Sequence, residues 1–299
     1  MRFAFSDDQL AYRDAVRDLL AKECTSAHVR EAWTNATGRI PGLWDQLEAM
    51  GVIGMLAPEA EGGLGLTMVD LVLILEETGR HAVPEPIVET AAFGVPLVGR
   101  GDIVVGTAQR FVPWADTATV LITEAGRFDP QAVELVPVPS VDGARRLFDL
   151  RGPATGVDGD LSSAYHRGVL GNAAQLCGLS DRMLEITAAY VRERKQFGVP
   201  VGSFQAVKHH LADARIGLEF ARPLVYRAAA TLDFVHISMA FAKAADAALV
   251  TARAALQCHG AIGYTTEYDL HLYMKRTWCL ARAFGDARFH RDRVAQAIL

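Results

Sequence analysis

A mainly helical protein with a small β unit set between two helical regions is the fold class this sequence predicts. Three observations carry that expectation. Apolar residues recur at helical spacing through residues 1–95. Residues 96–160 then break into short β-rich runs separated by Gly, Pro and Asp. Beyond residue 161 four long helical stretches follow one another with short joints, the pattern of a bundle.

The elements follow in order. Residues 6–34 read as helix: Leu10, Val16, Leu19 and Leu20 share a face, and Ser6 with Gln9 forms a capping-box pattern before them. A second helix runs through LWDQLEAMG and stops at Gly51, and the loop LAPEAEGGLGL follows. TMVDLVLILEETGRH predicts another helix ended by Gly79, with Glu76 and Glu77 on a solvated face. DIVVG, TATVLIT, AVELVPVP and RRLFDL predict a small antiparallel unit of four or five strands. From Ser162 the chain is helical again. SSAYHRGVLGNAAQLCGLSDRMLEITAAYVRERK is one long helix. SFQAVKHHLADARIGLEFA is a second, interrupted near Pro223. The alanine-rich HISMAFAKAADAALVTARAALQCHG and then LHLYMKRTWCLARAFG complete the four. The domains expected are therefore 1–95, 96–160 and 161–299.

Of the 299 residues, 51% are hydrophobic, enough for a substantial core or for apolar surface covered by another subunit. A net charge of −5 gives no footprint for nucleic acid or an anionic membrane. The first residues lack the continuous apolar run of a signal peptide, and runs such as Leu71–Leu75 are too short to span a bilayer. Cys24, Cys177, Cys258 and Cys279 have no metal or CxxC spacing, so reduced thiols in a cytoplasmic protein are expected. His209 and His210 are adjacent and point to different sides of a helix, so no metal site is expected. GGLGL lacks the Lys-Ser/Thr of a phosphate loop.

Two stretches carry candidate chemistry. In RKQFGVPVGSFQAVKHHLAD a helix ends in basic residues, a glycine turn follows, and a new helix starts. Arg194 there either complements the helix dipole or holds a phosphate through bidentate bonds. Phe197 is either core or a stacking surface, and Gln205 has an amide for a polar ligand edge. In QCHGAIGY a helix ends at a glycine whose backbone can approach a ligand closely, with Gln257 and His259 as polar groups; a plain helix cap is the other reading.

Taken together, these stretches resemble the acyl-CoA dehydrogenase family over nearly the whole chain. FAFSDDQLAYRDAVRDLLAKE, LWDQLEAMGVIGMLAPEAEGGLGL and LEETGR look like its N-terminal domain. RKQFGVPVGSFQAVKHHLAD and QCHGAIGYTTEYDL look like its C-terminal bundle. The resemblance implies an N-terminal helical domain, here a truncated antiparallel β domain, and a C-terminal four-helix bundle, within a tetramer. It implies FAD as cofactor and desaturation of an acyl-CoA between Cα and Cβ, a carboxylate taking the α-proton. By position, Arg194 would hold the FAD pyrophosphate. Gln196, Phe197, Phe204 and Gln205 would line the adenosine part, and Gln257, Cys258, His259, Gly260 and Ala261 would meet the cofactor from the bundle. In the family these groups largely reach a flavin held by the neighbouring subunit.

The chain departs from the family where the chemistry sits. Phe284 and Gly168 occupy the two positions at which family members carry the catalytic Glu, so no catalytic residue is assigned. The Thr-Glu…Gly-Ser segment that wraps the flavin ring is not visible, and ITEAG at 122–126 reads as a coincidental echo. Loss of a base removes about 10²–10⁴-fold of rate. The expected role is the non-catalytic subunit of a heteromeric α2β2 enzyme, of the kind used in actinobacterial steroid degradation, beside a paralogous catalytic subunit. Two alternatives stand: an active homomer with a displaced base, Asp286 or Glu267, or a structural or regulatory bundle without flavin.

Overall fold

The computed structural model describes residues 4–99, 104–107 and 110–299. Helix α1 (Asp7–Glu23) starts with the expected capping box: Ser6 Oγ accepts from Gln9 N at 3.2 Å, and Gln9 Oε1 accepts from Ser6 N at 2.9 Å. The predicted helix over 6–34 is two helices, because the Thr25 hydroxyl caps α2 (Ser26–Ala32) and draws the chain out of α1. Then come α3 (Leu43–Ala49) and α4 (Met68–Arg80). Gly79 does not stop α4. It faces α6, where an added Cβ would lie 2.1 Å from Gln175 O, and Gly178 returns the favour, 1.9 Å from Glu76 O. The two glycines let the helix backbones touch rather than ending one of them.

Glu76 and Glu77 are buried, contrary to the solvated face expected of them. Arg222 Nε and Tyr226 Oη each reach Glu76 at 2.6 Å, and Arg17 reaches Glu77 at 2.5 Å. Those partners come from α1 and α7, so the pattern of α4 alone could not announce them. A π-helical turn (Val88–Gly94) runs into α5 (Val95–Val98) and ends the first region.

The β unit differs from the single antiparallel sheet expected. Among the described residues it has six strands in two three-stranded sheets. Strands β1 (Val104–Gly106), β2 (Phe111–Pro113) and β3 (Val120–Thr123) are followed by β4 (Gly126–Phe128), β5 (Glu134–Val138) and β6 (Leu147–Arg151). The order β1-β3-β4 contains a parallel pair, β1 with β3; the order β2-β6-β5 is antiparallel. Strands β2 and β4 are three residues each, too short to show an alternating pattern. Trp114, Leu121, Phe128 and Phe148 belong to the core of this unit.

The bundle begins with α6 (Leu161–Glu193). A two-stranded hairpin, β7 (Lys195–Gln196) and β8 (Val199–Pro200), leads into α7 (Gln205–Thr231). Helix α7 runs through Pro223. The roughly 3 kcal/mol that a proline costs a helix interior is offset by burial of Leu218, Ala221, Val225 and Ala228 around it. Helix α8 (Phe234–His259) buries most of its alanines against its neighbours. By length and composition it could cross a membrane, but 56% of its most apolar window is buried within the bundle. The last predicted helix is shorter than expected, α9 (Leu270–Leu280), and a turn at Ala281–Gly285 separates it from α10 (Ala287–Ile298).

The three regions are joined through buried charges. Arg276 of α9 pairs with Asp142 beside β6 and donates to Val83 O at 2.7 Å, while Arg145 meets Glu89 at 3.3 Å. All four of these side chains are nearly inaccessible. Removing one partner of such a pair leaves the other uncompensated, at about 3–5 kcal/mol.

Candidate functional site

Gly168 and Phe284, the two positions at which the resemblance would place a base, lie against each other. A Cβ on Gly168 would sit 2.8 Å from Phe284 Cε1 and 3.3 Å from Phe93 Cδ2. Phe284 is 1% exposed, and its ring packs against Phe93 (centroids 6.1 Å) and Tyr165 (5.9 Å). Phe93 in turn lies on Gly106 of β1, where a Cβ would come within 1.9 Å of its ring. The aromatic side chains thus fill the space that these two glycines leave open.

The turn that presents Phe284 is held firmly. Phe284 has φ +59, a left-handed conformation uncommon for a non-glycine residue, and Gly285 follows with φ +95. Its carbonyl accepts from Tyr165 Oη at 2.6 Å and from His290 Nε2 at 3.0 Å. With Nε2 donating, Nδ1 of His290 accepts from Ser238 Oγ at 3.3 Å. Burial disfavours the imidazolium and pulls the His290 pKa down to about 4.

Beside the plug is a cavity of about 300 Å³ walled by Phe93, Tyr165, His166, Glu124 and Arg293 among others. The Arg293 guanidinium lies 5.6 Å from the Tyr165 ring and 5.7 Å from those of Phe234 and Phe289. It donates to His166 Nε2 at 2.9 Å. Burial first, and Arg293 second, hold His166 below its usual pKa. Glu124 stands in the β3–β4 turn, within the segment 122–126, and lines both this cavity and a second of about 350 Å³ on the β unit. Of the two carboxylates weighed as a displaced base, Asp286 accepts from Phe289 N at 2.8 Å as the cap of α10, and Glu267 is exposed in the turn before α9.

The other end of α6 is open. Arg194 is its C-cap and is exposed. Phe197 and Gly198, with φ +53 and +82, make the tight turn of the β7–β8 hairpin, leaving the Phe197 ring 92% exposed. Phe204 approaches it edge-on, with centroids 6.2 Å apart. Helix α7 begins at Gln205 without a side-chain cap, so its first N–H groups are available to an anion. Gln196 and Gln205 are exposed beside them. An exposed guanidinium, free helix N–H groups and a bare aromatic ring suit a phosphate-bearing aromatic ligand such as the ADP portion of FAD.

The C-terminal turn of α8 lies at the same end of the bundle. Gln257, Gly260 and Ala261 are exposed, and Cys258 is half-buried. His259 is 4% exposed, so its side chain is turned away from solvent. Its Nδ1 donates to Ala255 O at 2.8 Å, and its ring stacks on Tyr190 of α6, centroids 4.4 Å apart. Sequence reading passed over Phe93, Tyr165, His290 and Tyr190. Tyr190, one helical turn before Arg194, was the one with a visible signal, since its spacing places it beneath the cap. Among the described residues no group of three or more His, Cys, Asp or Glu is gathered to hold a metal ion.

Known proteins resemble this chain in sequence and in fold. Residues 162–299 match the acyl-CoA dehydrogenase C-terminal domain and residues 6–101 the N-terminal domain. The chain is 33% identical over 299 residues to acyl-CoA dehydrogenase IpdE2 of Mycolicibacterium smegmatis, covering 95% of this chain and 96% of that protein. Among solved structures, the Tcur3481-Tcur3483 steroid ACAD superposes with a TM-score of 0.89 at 23% identity, over 98% of each chain. The ChsE4-ChsE5 complex from Mycobacterium tuberculosis gives 0.84 at 21% identity, over 99% of this chain and 98% of that one. At these identities the structural likeness speaks for the fold, and with the sequence match it leads to one conclusion: the chain belongs to the acyl-CoA dehydrogenase family.

Proposed function

We propose that this chain is the non-catalytic subunit of a heteromeric FAD-dependent acyl-CoA dehydrogenase, acting beside a paralogous catalytic subunit. The observation that carries the reading is the contact between Gly168 and Phe284. Both places for a base are taken by groups that cannot accept a proton, and the space between them is filled with aromatic carbon. Asp286 is engaged as a helix cap, which speaks against the homomeric alternative.

The open end supports a retained binding role. Arg194, the uncapped start of α7 and the Phe197 ring would hold the ADP portion of FAD, and the exposed Gln257 amide would reach it from α8. When bound, FAD supplies the hydride acceptor for desaturation. This chain's residues would bind and orient that end of the cofactor, while the proton acceptor and the acyl pocket would come from the partner. The names of the structural neighbours ChsE4-ChsE5 and Tcur3481-Tcur3483 each join two chains, and the latter is called a steroid ACAD, so a steroid-derived thioester in an α2β2 assembly is the substrate and form we favour.

The test is to purify the chain alone and together with its paralogue, then measure flavin per chain and thioester-dependent bleaching. The expected result is activity in the pair and none in the lone chain. A lone chain that bleaches its own flavin on adding an acyl-CoA overturns the proposal.

A further inference from the structure

We infer that Tyr190 and His259, backed by Tyr268, are positioning residues that hold the two halves of the open end at a fixed separation. This rests on the reading of that end as a flavin-ADP cradle. The cradle is built from two chain segments far apart in sequence, the hairpin after α6 and the turn after α8. The three rings join them. Tyr190 and His259 stack with centroids 4.4 Å apart at 23°, and Tyr268 closes on both, 5.6 Å from Tyr190 and 4.7 Å from His259.

Each ring is also tied to the backbone it positions. Arg194 N donates to Tyr190 O at 2.9 Å, so the turn of helix that carries Tyr190 sets the start of the hairpin. Tyr190 Oη donates to His259 O at 3.3 Å, and Tyr268 Oη reaches Ile186 O at 3.5 Å, one turn earlier on α6. The chain then bends at Gly260, φ +66, and leads into the exposed Ala261. His259 Nε2 is buried without a partner, and the side chain is 4% exposed. It therefore acts through its neighbours and does not itself touch a ligand on the outer face. Two cradle halves mounted on separate helices need such a brace, because a shift of about 1 Å between them would spoil simultaneous contact with one rigid ligand.

The test measures FAD affinity of the assembled complex by fluorescence quenching, with size-exclusion and circular dichroism confirming assembly. Tyr190→Leu and His259→Leu are expected to weaken FAD binding by about ten-fold or more. Tyr190→Phe and His259→Phe keep the rings and are expected to stay close to the unmodified complex. Leucine variants that bind FAD as tightly as the unmodified complex overturn the inference. Arg194→Ala separates the two levels. If it too leaves affinity unchanged, the cradle reading itself fails; if it alone weakens binding, only the brace fails. Should Tyr190→Leu not assemble, Tyr268→Leu, in the half-buried ring of the stack, carries the same comparison.

Discussion

Helix α6 has opposite surroundings along its length, and the contrast shows what each end contributes to the fold. Near its N-terminus Gly168 meets the buried Phe284 ring, which packs on Phe93 and Tyr165. At its C-terminus Arg194, Gln196 and Phe197 stand in solvent. A filled pocket becomes hydrophobic core: burying a phenylalanine contributes about 1.5–3 kcal/mol. An exposed guanidinium and a bare ring contribute little to the isolated fold, and keeping Phe197 in a left-handed conformation works against it. The closed end is thus explained by stability, whereas the open end adds little to it and is where the proposed cofactor contact would lie.

Four measurements would break or sharpen that contrast. The largest effect is expected from Phe284→Ala, which empties the plug and should cost about 3–5 kcal/mol in denaturant unfolding. A cost below 1 kcal/mol would mean that the plug is loose. Next is acid. The folded His290 value of about 4 lies below the ordinary 6.5, so its neutral form contributes stability that is full above pH 6.5 and lost as pH falls through 4. The loss approaches about 3 kcal/mol. His290→Asn should lack that slope, and the difference between the two pH profiles separates His290 from carboxylates titrating in the same range.

Gly168→Ala comes third. Its methyl group meets two rings at 2.8–3.3 Å, and overpacking of this kind costs about 1–3 kcal/mol. Combining it with Phe284→Leu should recover part of that cost, a coupling that a double-mutant cycle reads directly. The smallest effect on folding is expected at the open end. Arg194→Ala should change stability by less than about 0.5 kcal/mol, while flavin content of the complex falls. Unchanged flavin would remove the contrast between the two ends.

Much of the site could be read from residue order, in pieces. RKQFG and QCHGAIGY mark the open end, and the register of Phe284 and Gly168 marks the two positions where the resemblance would place a base. What could not be read was contact. Nothing local to Gly168 says that a phenylalanine 116 residues later fills its place. His259 reads in the sequence as a polar group at a ligand site, and nothing local shows that its ring is buried against Tyr190 and Tyr268. Glu76 and Glu77 looked solvated because their cationic partners lie on other helices.

Residue order alone determined the class of each long helix, the place of the β unit and the absence of a carboxylate at positions 168 and 284. Those properties depend on local periodicity and on residue identity, which need no third dimension. Only the tertiary structure decided that Gly79 and Gly178 are points of helix contact and that α7 continues through Pro223. It also decided that positions 168 and 284 meet in one aromatic plug. Each of these is set by what distant segments place opposite a residue, and burial free energy then outweighs the local preference.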